Sequence, residues 1–173
     1  MFFMKGAHSI KTDIKELTRF SLFAAIIILL SVTPLGYISL GIINATTIQI
    51  PVIIGAILFS WKKGAALGLI FGITSMLKNT IQPNATSFVF SPFIPVLGEE
   101  SGSLFAALIS LLPRIMIGVV AGLLFVLLSK TRLNKALSCG ICGFCGSMTN
   151  TVLVMGGIYL FFGESYSSAK EIA

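Results

Sequence analysis

The sequence predicts an all-α integral membrane protein, a helical bundle that occupies residues 1–173 as a single membrane domain. Composition supports this, because 55% of the residues are hydrophobic, only 10% are charged, and the mean hydropathy is +1.00. Several apolar segments also approach or exceed the about 20 residues that a helix needs to span a bilayer. Soluble domains carry roughly a quarter charged residues. A soluble fold of this size could not bury so much apolar surface.

The first helix is predicted over about 14–33, where a basic segment leads into an apolar run. This pattern resembles a signal peptide, but no small-x-small cleavage pattern precedes Pro34 and further apolar segments follow, so we expect a retained span. Residues 33–45 carry no charge and include one proline and two glycines. They predict a structured outer loop.

The second and third helices are predicted over about 46–60 and 65–78. Pro51 interrupts the second, which is tolerated in membrane helices where neighbouring groups satisfy the freed carbonyl. Between the two helices, an interfacial tryptophan, two lysines and a glycine follow one another over residues 61–64. This run predicts a tight reversal at the membrane surface.

The remaining chain predicts a long outer loop over 79–102 and two more helices, about 103–129 and 137–162. The loop holds several breakers and the acidic pair Glu99 and Glu100. Unstructured loops of that length are uncommon in compact domains and are usually functional or disordered. Its aromatic and apolar content predicts an ordered lid.

Charge placement predicts the orientation of the bundle, because Lys and Arg accumulate in cytoplasmic loops. With a cytoplasmic N-terminus, nine of the twelve basic residues lie inside. These nine are Lys5, Lys11, Lys15, Arg19, Lys62, Lys63, Lys130, Arg132 and Lys135. Both structured loops then face outward, and the protein is predicted to lie in a bacterial cytoplasmic membrane. The net charge of +6 is explained by topology, so no nucleic-acid partner is expected.

Arg114 is the strongly ionised residue predicted inside a span, where burial of a charge is costly and a functional role is the default hypothesis. It could pair with an anionic substrate. The structural alternative is a bond to carbonyls left unpaired by the preceding Pro113. From the residues alone, the two are equally supported.

Neutral polar residues cluster at the predicted outer side and in the fifth helix. Together with Arg114, the candidate substrate-binding residues are Asn44, Gln49, Asn79, Asn84, Ser87, Phe88 and Asn150. A few polar groups in an apolar pocket suit a small polar ligand. For any single residue, helix capping or interhelical hydrogen bonding is the alternative.

The three cysteines, Cys139, Cys142 and Cys145, have a C-x-x-C-x-x-C spacing that could ligate a metal. They alternate with Gly140, Gly143 and Gly146 in an apolar helix, and small residues let helices approach closely. Helix packing is therefore the favoured interpretation, and no metal site is predicted.

No catalytic residue is predicted. The single histidine, His8, lies in the basic N-terminal segment, and the chain has no phosphate-binding G-x-x-x-x-G-K-[ST] loop. ATP-driven work would fall to partner subunits, and no cofactor is expected.

Small residues on the first helix, Ser21, Ala24 and Ala25, form a small-xxx-small pattern suited to close helix contact. The contact could lie within the bundle or with another chain.

Four sequence blocks carry a resemblance to a known family. They are I-N-A-T-T-I-Q-I-P-V-I-I-G-A-I-L at 43–58, F-G-I-T-S-M-L-K-N-T at 71–80, T-S-F-V-F-S-P-F-I-P at 86–95, and G-S-M-T-N-T-V-L-V-M-G-G-I-Y-L-F-F at 146–162. Over about residues 14–165 the chain resembles the substrate-binding S-components of energy-coupling factor (ECF) transporters, most nearly the pantothenate-type members.

The resemblance implies a subunit that captures a vitamin outside the cell for uptake driven by a transmembrane coupling protein and two ATPase subunits. It also implies that the small residues of helix 1 dock onto that coupling protein. The family has six membrane helices, whereas this sequence predicts five, so the sixth is expected to be missing from this chain. Pantothenate is the expected ligand because Arg114 suits a carboxylate; riboflavin and folate are the rivals.

Two other functional classes remain as alternatives. A self-sufficient secondary transporter would be expected to show internal repeats or intramembrane carboxylates, and neither is evident. A membrane enzyme would need a catalytic set that the sequence does not supply.

Overall fold

The computed structural model describes residues 3–39, 44–83, 87–95, 103–131 and 133–172. These form five α-helices, which confirms the predicted all-α bundle. The helices are α1 (Phe3–Val32), α2 (Gln49–Leu58), α3 (Trp61–Ile81), α4 (Leu104–Leu128) and α5 (Lys135–Ile172). Two 3₁₀ turns, Pro34–Gly36 and Ser87–Val89, lie in the long connections.

The connection between α1 and α2 contains a small antiparallel hairpin, β1 (Tyr37–Ser39) with β2 (Asn44–Thr46), in which Tyr37 pairs with Thr46. The Thr47 backbone N–H donates to the Gly36 carbonyl, and its hydroxyl donates to the Leu35 carbonyl at 2.7 Å. The predicted outer loop thus has its own hydrogen-bonded structure.

The centre of the bundle is the contact between α3 and α4, which is built on glycine. A Cβ on Gly68 would collide with the Arg114 carbonyl oxygen, and one on Gly118 would collide with the Gly64 backbone. A Cβ on Gly122 would lie 2.6 Å from the Trp61 Cα. The two backbones are in direct contact because these positions lack side chains.

An apolar core surrounds this contact and draws on the first four helices. Its fully buried members include Ile27, Val52, Leu67, Phe71 and Ile117. A second cluster joins the Ser87–Val89 turn to the N-terminal part of α4 and to α5 around Phe162. The core therefore fixes both long connections to the helices.

Three helices in the described ranges are long and apolar enough to cross a membrane: Trp61–Ile81, Leu104–Leu128 and Lys135–Phe162. The apolar α2 is shorter, with 10 residues. Large apolar side chains, such as Leu69, Leu123 and Leu160, point away from the protein core. A hydrocarbon environment is the solvent that suits such a surface.

Some helix bounds differ from the predicted ones. α3 begins at Trp61, because Ser60 is its N-cap and accepts a hydrogen bond from the Lys62 backbone N–H. The reversal therefore lies before Trp61 rather than over 61–64, and the two lysines belong to the first turn of α3. α1 begins at Phe3 rather than near residue 14, and α5 continues to Ile172 beyond a break in helical geometry at Phe162.

The expectation that all three cysteine-alternating glycines mediate helix contacts is wrong for two of them. A Cβ on Gly140 or Gly143 would meet nothing within 4 Å. Of the three, only Gly146 faces close neighbours: a Cβ there would lie 3.3 Å from Ile53 and 3.6 Å from Ala121. Within the described chain no neighbouring group packs on these two glycines, although Cys142 between them is buried.

The two ends of the bundle differ in charge. At one end, Lys63 at the start of α3 forms an ion pair of 2.7 Å with Glu16 of α1. Trp61 packs on Gly122, so the last turns of α4 lie at this end too. The hairpin and the Ser87–Val89 turn lie at the opposite end, where α1 and α3 finish. Most basic residues of the described chain thus lie towards the first end, while Lys78 lies with the structured connections at the other.

Candidate functional site

Arg114 lies in the interior of α4 and is buried, with 5% of its surface exposed. Its Nη1 donates a hydrogen bond of 2.8 Å to the Ile109 carbonyl. In a regular helix that carbonyl would accept from residue 113, but Pro113 has no N–H. The structural alternative from the sequence is therefore observed: the guanidinium satisfies the carbonyl that the proline frees.

This hydrogen bond leaves most of the guanidinium donors for other partners. Arg114 Nε is buried and has no hydrogen-bond partner in the described part of the chain. The guanidinium carbon lies 5.7 Å from the ring centre of Phe71 and 5.1 Å from that of Phe90, both within cation–π range. Arg114 is thus held between two rings with donor capacity unused.

The hairpin brings Tyr37 to the same place. Its phenol is buried near the hydroxyls of Ser75 and Ser31 and near the Arg114 guanidinium. Burial raises the pKa of Tyr37 above its ordinary value of 10.0, although Ser75 and Arg114 oppose the shift. The phenol is consequently protonated at neutral pH and can donate a hydrogen bond.

A second cation lies beside Tyr37. Lys78 Nζ is 4.0 Å from the centre of the Tyr37 ring. Among the described residues the ion pair found is Lys63 with Glu16, so neither Arg114 nor Lys78 has a carboxylate partner there. A buried cation without a counter-ion is costly. The local excess of positive charge favours an anionic ligand.

Asn150 of α5 lies alongside the same part of α4. Gly146 packs on Ala121 and Gly157 on Ile109, so Asn150 is level with the α4 segment that contains Arg114. Its Oδ1 is buried without a hydrogen-bond partner in the ranges that the structure covers. Buried polar atoms are nearly always satisfied by protein or water. An unsatisfied acceptor at this level is therefore a candidate ligand contact.

The segment 87–95 is fixed to the end of α3 by side-chain hydrogen bonds. Asn79 Oδ1 accepts from the Ser87 hydroxyl at 3.1 Å, while its Nδ2 donates to the Ser75 carbonyl at 2.8 Å. The Thr80 and Ser91 hydroxyls are 2.7 Å apart. These bonds position Phe90 over Arg114.

The remaining predicted binding residues are less informative. Phe88 packs against Phe162, with ring centres 5.9 Å apart, rather than facing Arg114. Gln49 is half-buried in the first turn of α2. Asn44 lies in β2, but its side chain is outside the described residues, as is the whole of Asn84. Their roles stay predictions.

Sequence reasoning missed four residues around Arg114. They are Tyr37, Phe71, Ser75 and Lys78. Only helical spacing could have indicated three of them, because Phe71, Ser75 and Lys78 recur at intervals of three and four on α3 and so share a face. Nothing in the sequence around Tyr37 indicates that its side chain lies against this face of α3.

The three cysteines are free thiols that differ in exposure. Cys139 is exposed and Cys142 buried, and within the described ranges no group of three potential ligands is arranged to hold a metal ion. A surface groove of about 390 Å³ runs between α2 and α5 past Cys139. Its lining is mostly apolar, with four isoleucines, and lacks the charge and convergent polar groups found around Arg114.

The three predicted docking residues divide between two faces of α1. Ser21 and Ala25 are exposed, while Ala24 is partly buried against the core. The exposed pair lies one helical turn apart and forms a surface of small side chains. A partner interface at this surface stays a prediction.

Comparison with known proteins identifies relatives of this chain. Residues 15–172 match the family model described as ECF transporter, substrate-specific component. The chain is 42% identical over 123 residues to "Pantothenic acid transporter PanT" of Lactococcus lactis subsp. cremoris (strain MG1363), covering 71% of this chain and 60% of that protein. It is 31% identical over 154 residues to "Pantothenate transporter PanT" of Leuconostoc mesenteroides subsp. mesenteroides, covering 84% and 67%.

The match to the first of these relatives thus spans about three-fifths of that protein's length. The family match, in contrast, covers nearly the whole chain. Together with the long apolar helices, it establishes a multi-pass membrane protein. The chain belongs to the family of substrate-specific components of ECF transporters, as its sequence blocks predict.

Proposed function

We propose that this chain is the vitamin-binding subunit of an ECF-type importer and that its substrate is pantothenate. The observation that carries the proposal is Arg114, a buried cation with unused donors and no described counter-ion. Pantothenate has a carboxylate, which a guanidinium binds well, and hydroxyl and amide groups. Tyr37 and Asn150 would supply the matching donor and acceptor. Two relatives, from Lactococcus lactis and Leuconostoc mesenteroides, are named as transporters of the same vitamin.

The proposed site would open to the outside of the cell. Lys15, Arg19, Lys62 and Lys130 lie towards the end of the bundle where Lys63 pairs with Glu16, and basic ends are cytoplasmic by the positive-inside rule. The hairpin and segment 87–95 lie at the other end. They would close over the vitamin, and the N-terminus of the chain would be cytoplasmic.

Partner subunits would supply the energy. A transmembrane coupling protein and two ATPases are proposed, as the family resemblance implies, with ATP hydrolysis confined to the ATPases. This chain would bind and present the vitamin without chemistry of its own, and it needs no cofactor for that role.

The substrate is tested by titrating the purified protein with pantothenate and riboflavin in a calorimeter. We expect pantothenate to bind more tightly, because riboflavin carries no carboxylate for Arg114. Arg114→Ala should weaken pantothenate binding by about 30-fold or more, since truncating one member of a buried charge pair costs about 2–5 kcal/mol. Arg19→Ala, at an exposed arginine towards the other end, is the control and should change nothing. Heat from riboflavin but not from pantothenate would refute the substrate assignment.

The docking surface is tested by enlarging its small side chains. The double variant Ser21→Leu, Ala25→Leu should lose co-purification with the coupling protein and the ATPases, because bulk at a small-residue contact separates helices. Its pantothenate affinity should equal that of the wild type. Thr151→Leu adds similar bulk at an exposed position on α5 and serves as the control. Unchanged co-purification of the double variant would place the docking surface elsewhere.

A further inference from the structure

Pro113 has a specific consequence for Arg114 beyond interrupting α4. Within a membrane span, water cannot satisfy a freed carbonyl, so a protein group has to do so. The freed carbonyl is that of Ile109, four residues before the proline, and Arg114 Nη1 donates to it at 2.8 Å. The proline thus creates the acceptor that its neighbouring side chain uses.

This bond determines the direction of the Arg114 side chain. It turns the guanidinium back along α4 toward Ile109, which is the end of the bundle that holds segment 87–95. There the guanidinium meets the rings of Phe71 and Phe90, 5.7 and 5.1 Å from its central carbon. Without an acceptor at Ile109, the long flexible side chain would have several orientations available.

We infer that Pro113 is a positioning residue that sets ligand specificity: it orients Arg114 so that a carboxylate is preferred over a neutral group. The inference rests on the proposed function, since it assumes that the ligand carries a carboxylate. A bond between a guanidinium and a carbonyl is charge-assisted and therefore strong enough to favour one orientation.

A purely structural role for Pro113 makes a different prediction. Alanine is a far better helix former than proline inside a helix. If Pro113 only bent α4, its replacement would alter stability and affect all ligands alike. If it positions Arg114, Pro113→Ala supplies an N–H that competes for the Ile109 carbonyl, and the preference between charged and neutral ligands changes.

The test compares two ligands that differ at one group: pantothenate and the uncharged alcohol in which its carboxylate is replaced by hydroxymethyl. Their Kd values are measured by calorimetry for the wild type, Pro113→Ala and Pro113→Ser. We expect the preference for pantothenate to fall by about tenfold in both variants, the size of one lost charged hydrogen bond, with the affinity for the alcohol nearly unchanged. The serine variant supplies the same N–H with a different side chain.

Pro51→Ala is the matched control. Pro51 is also buried in a helix, but it stands in the first turn of α2, where a missing N–H removes no intrahelical bond. Its substitution should leave the ratio of the two affinities unchanged. A wild-type ratio in both Pro113 variants would overturn this inference and leave the proposed function standing. A wild type that binds neither ligand would overturn both.

Discussion

The α3–α4 interface and the N-terminal part of α5 are both rich in glycine, yet only the first uses glycine for packing. On α3 and α4, side chains at Gly64, Gly68 and Gly118 would collide with the opposing backbone. On α5, side chains at Gly140 and Gly143 would meet nothing within 4 Å. Small residues permit close approach, but a facing helix has to be present to exploit it.

The difference matters for function, because the candidate site is built on the tight interface. Arg114 comes from α4, and Phe71 and Ser75 come from α3, one and two turns beyond Gly68. Where two backbones touch, the side chains beside them have little freedom to shift. The open part of α5, in contrast, contributes only the apolar groove.

The largest expected effect tests the tight interface directly. Gly68→Ala should lower the free energy of unfolding by about 3 kcal/mol or more, because the new methyl would collide with the Arg114 carbonyl and has only backbone atoms to displace. Thermal denaturation in detergent measures the loss. Gly140→Ala is the control and should be neutral or slightly stabilising, since alanine favours the helix. Equal effects of the two substitutions would show that glycine is no more important for packing at Gly68 than at Gly140.

A smaller effect is expected where segment 87–95 joins the end of α3. Asn79→Ala removes the hydrogen bonds to Ser87 and to the Ser75 carbonyl and should cost about 1–2 kcal/mol. Amide hydrogen exchange in segment 87–95 should rise, because one of its two side-chain ties to α3 is lost. Gln82→Ala changes an exposed side chain nearby and should leave exchange unaltered. Unchanged exchange in Asn79→Ala would show that the Thr80–Ser91 hydrogen bond and apolar packing hold the segment without Asn79.

The smallest effect concerns the cysteines of α5. Cys142 is fully buried, so Cys142→Ser should cost about 1 kcal/mol through the burial of a hydroxyl. Cys139 is exposed, and Cys139→Ser should alter the free energy of unfolding by less than about 0.5 kcal/mol. Both values come from thermal denaturation, repeated with added Zn²⁺. A zinc-dependent rise in melting temperature that either substitution abolishes would revive the metal interpretation.

Much of the architecture could be predicted from local patterns. Runs of apolar residues indicated five helices, because hydrophobic length is a property of short segments. The burial of Arg114 inside a helix was also predictable, since an arginine in an apolar run is conspicuous. The adjacent proline even suggested the carbonyl partner that is observed.

Other features could not be predicted because they depend on which faces of distant segments meet. Phe88 and Phe90 are equivalent in the sequence, but the 3₁₀ turn directs the first toward Phe162 and the second toward Arg114. The two sets of glycines are likewise similar in spacing and differ only in what lies opposite. The order of residues within one segment does not show which of its faces meets a distant segment.

The sequence by itself determined the membrane environment, the family and the buried arginine, because each rests on the identity of residues within one segment or one block. The tertiary structure alone decided that Tyr37, Phe71 and Phe90 surround that arginine. It also decided that the guanidinium bonds the Ile109 carbonyl and keeps donors unused. The physical reason is that a binding site is a convergence of side chains from several elements, and convergence is set by how helices and loops pack.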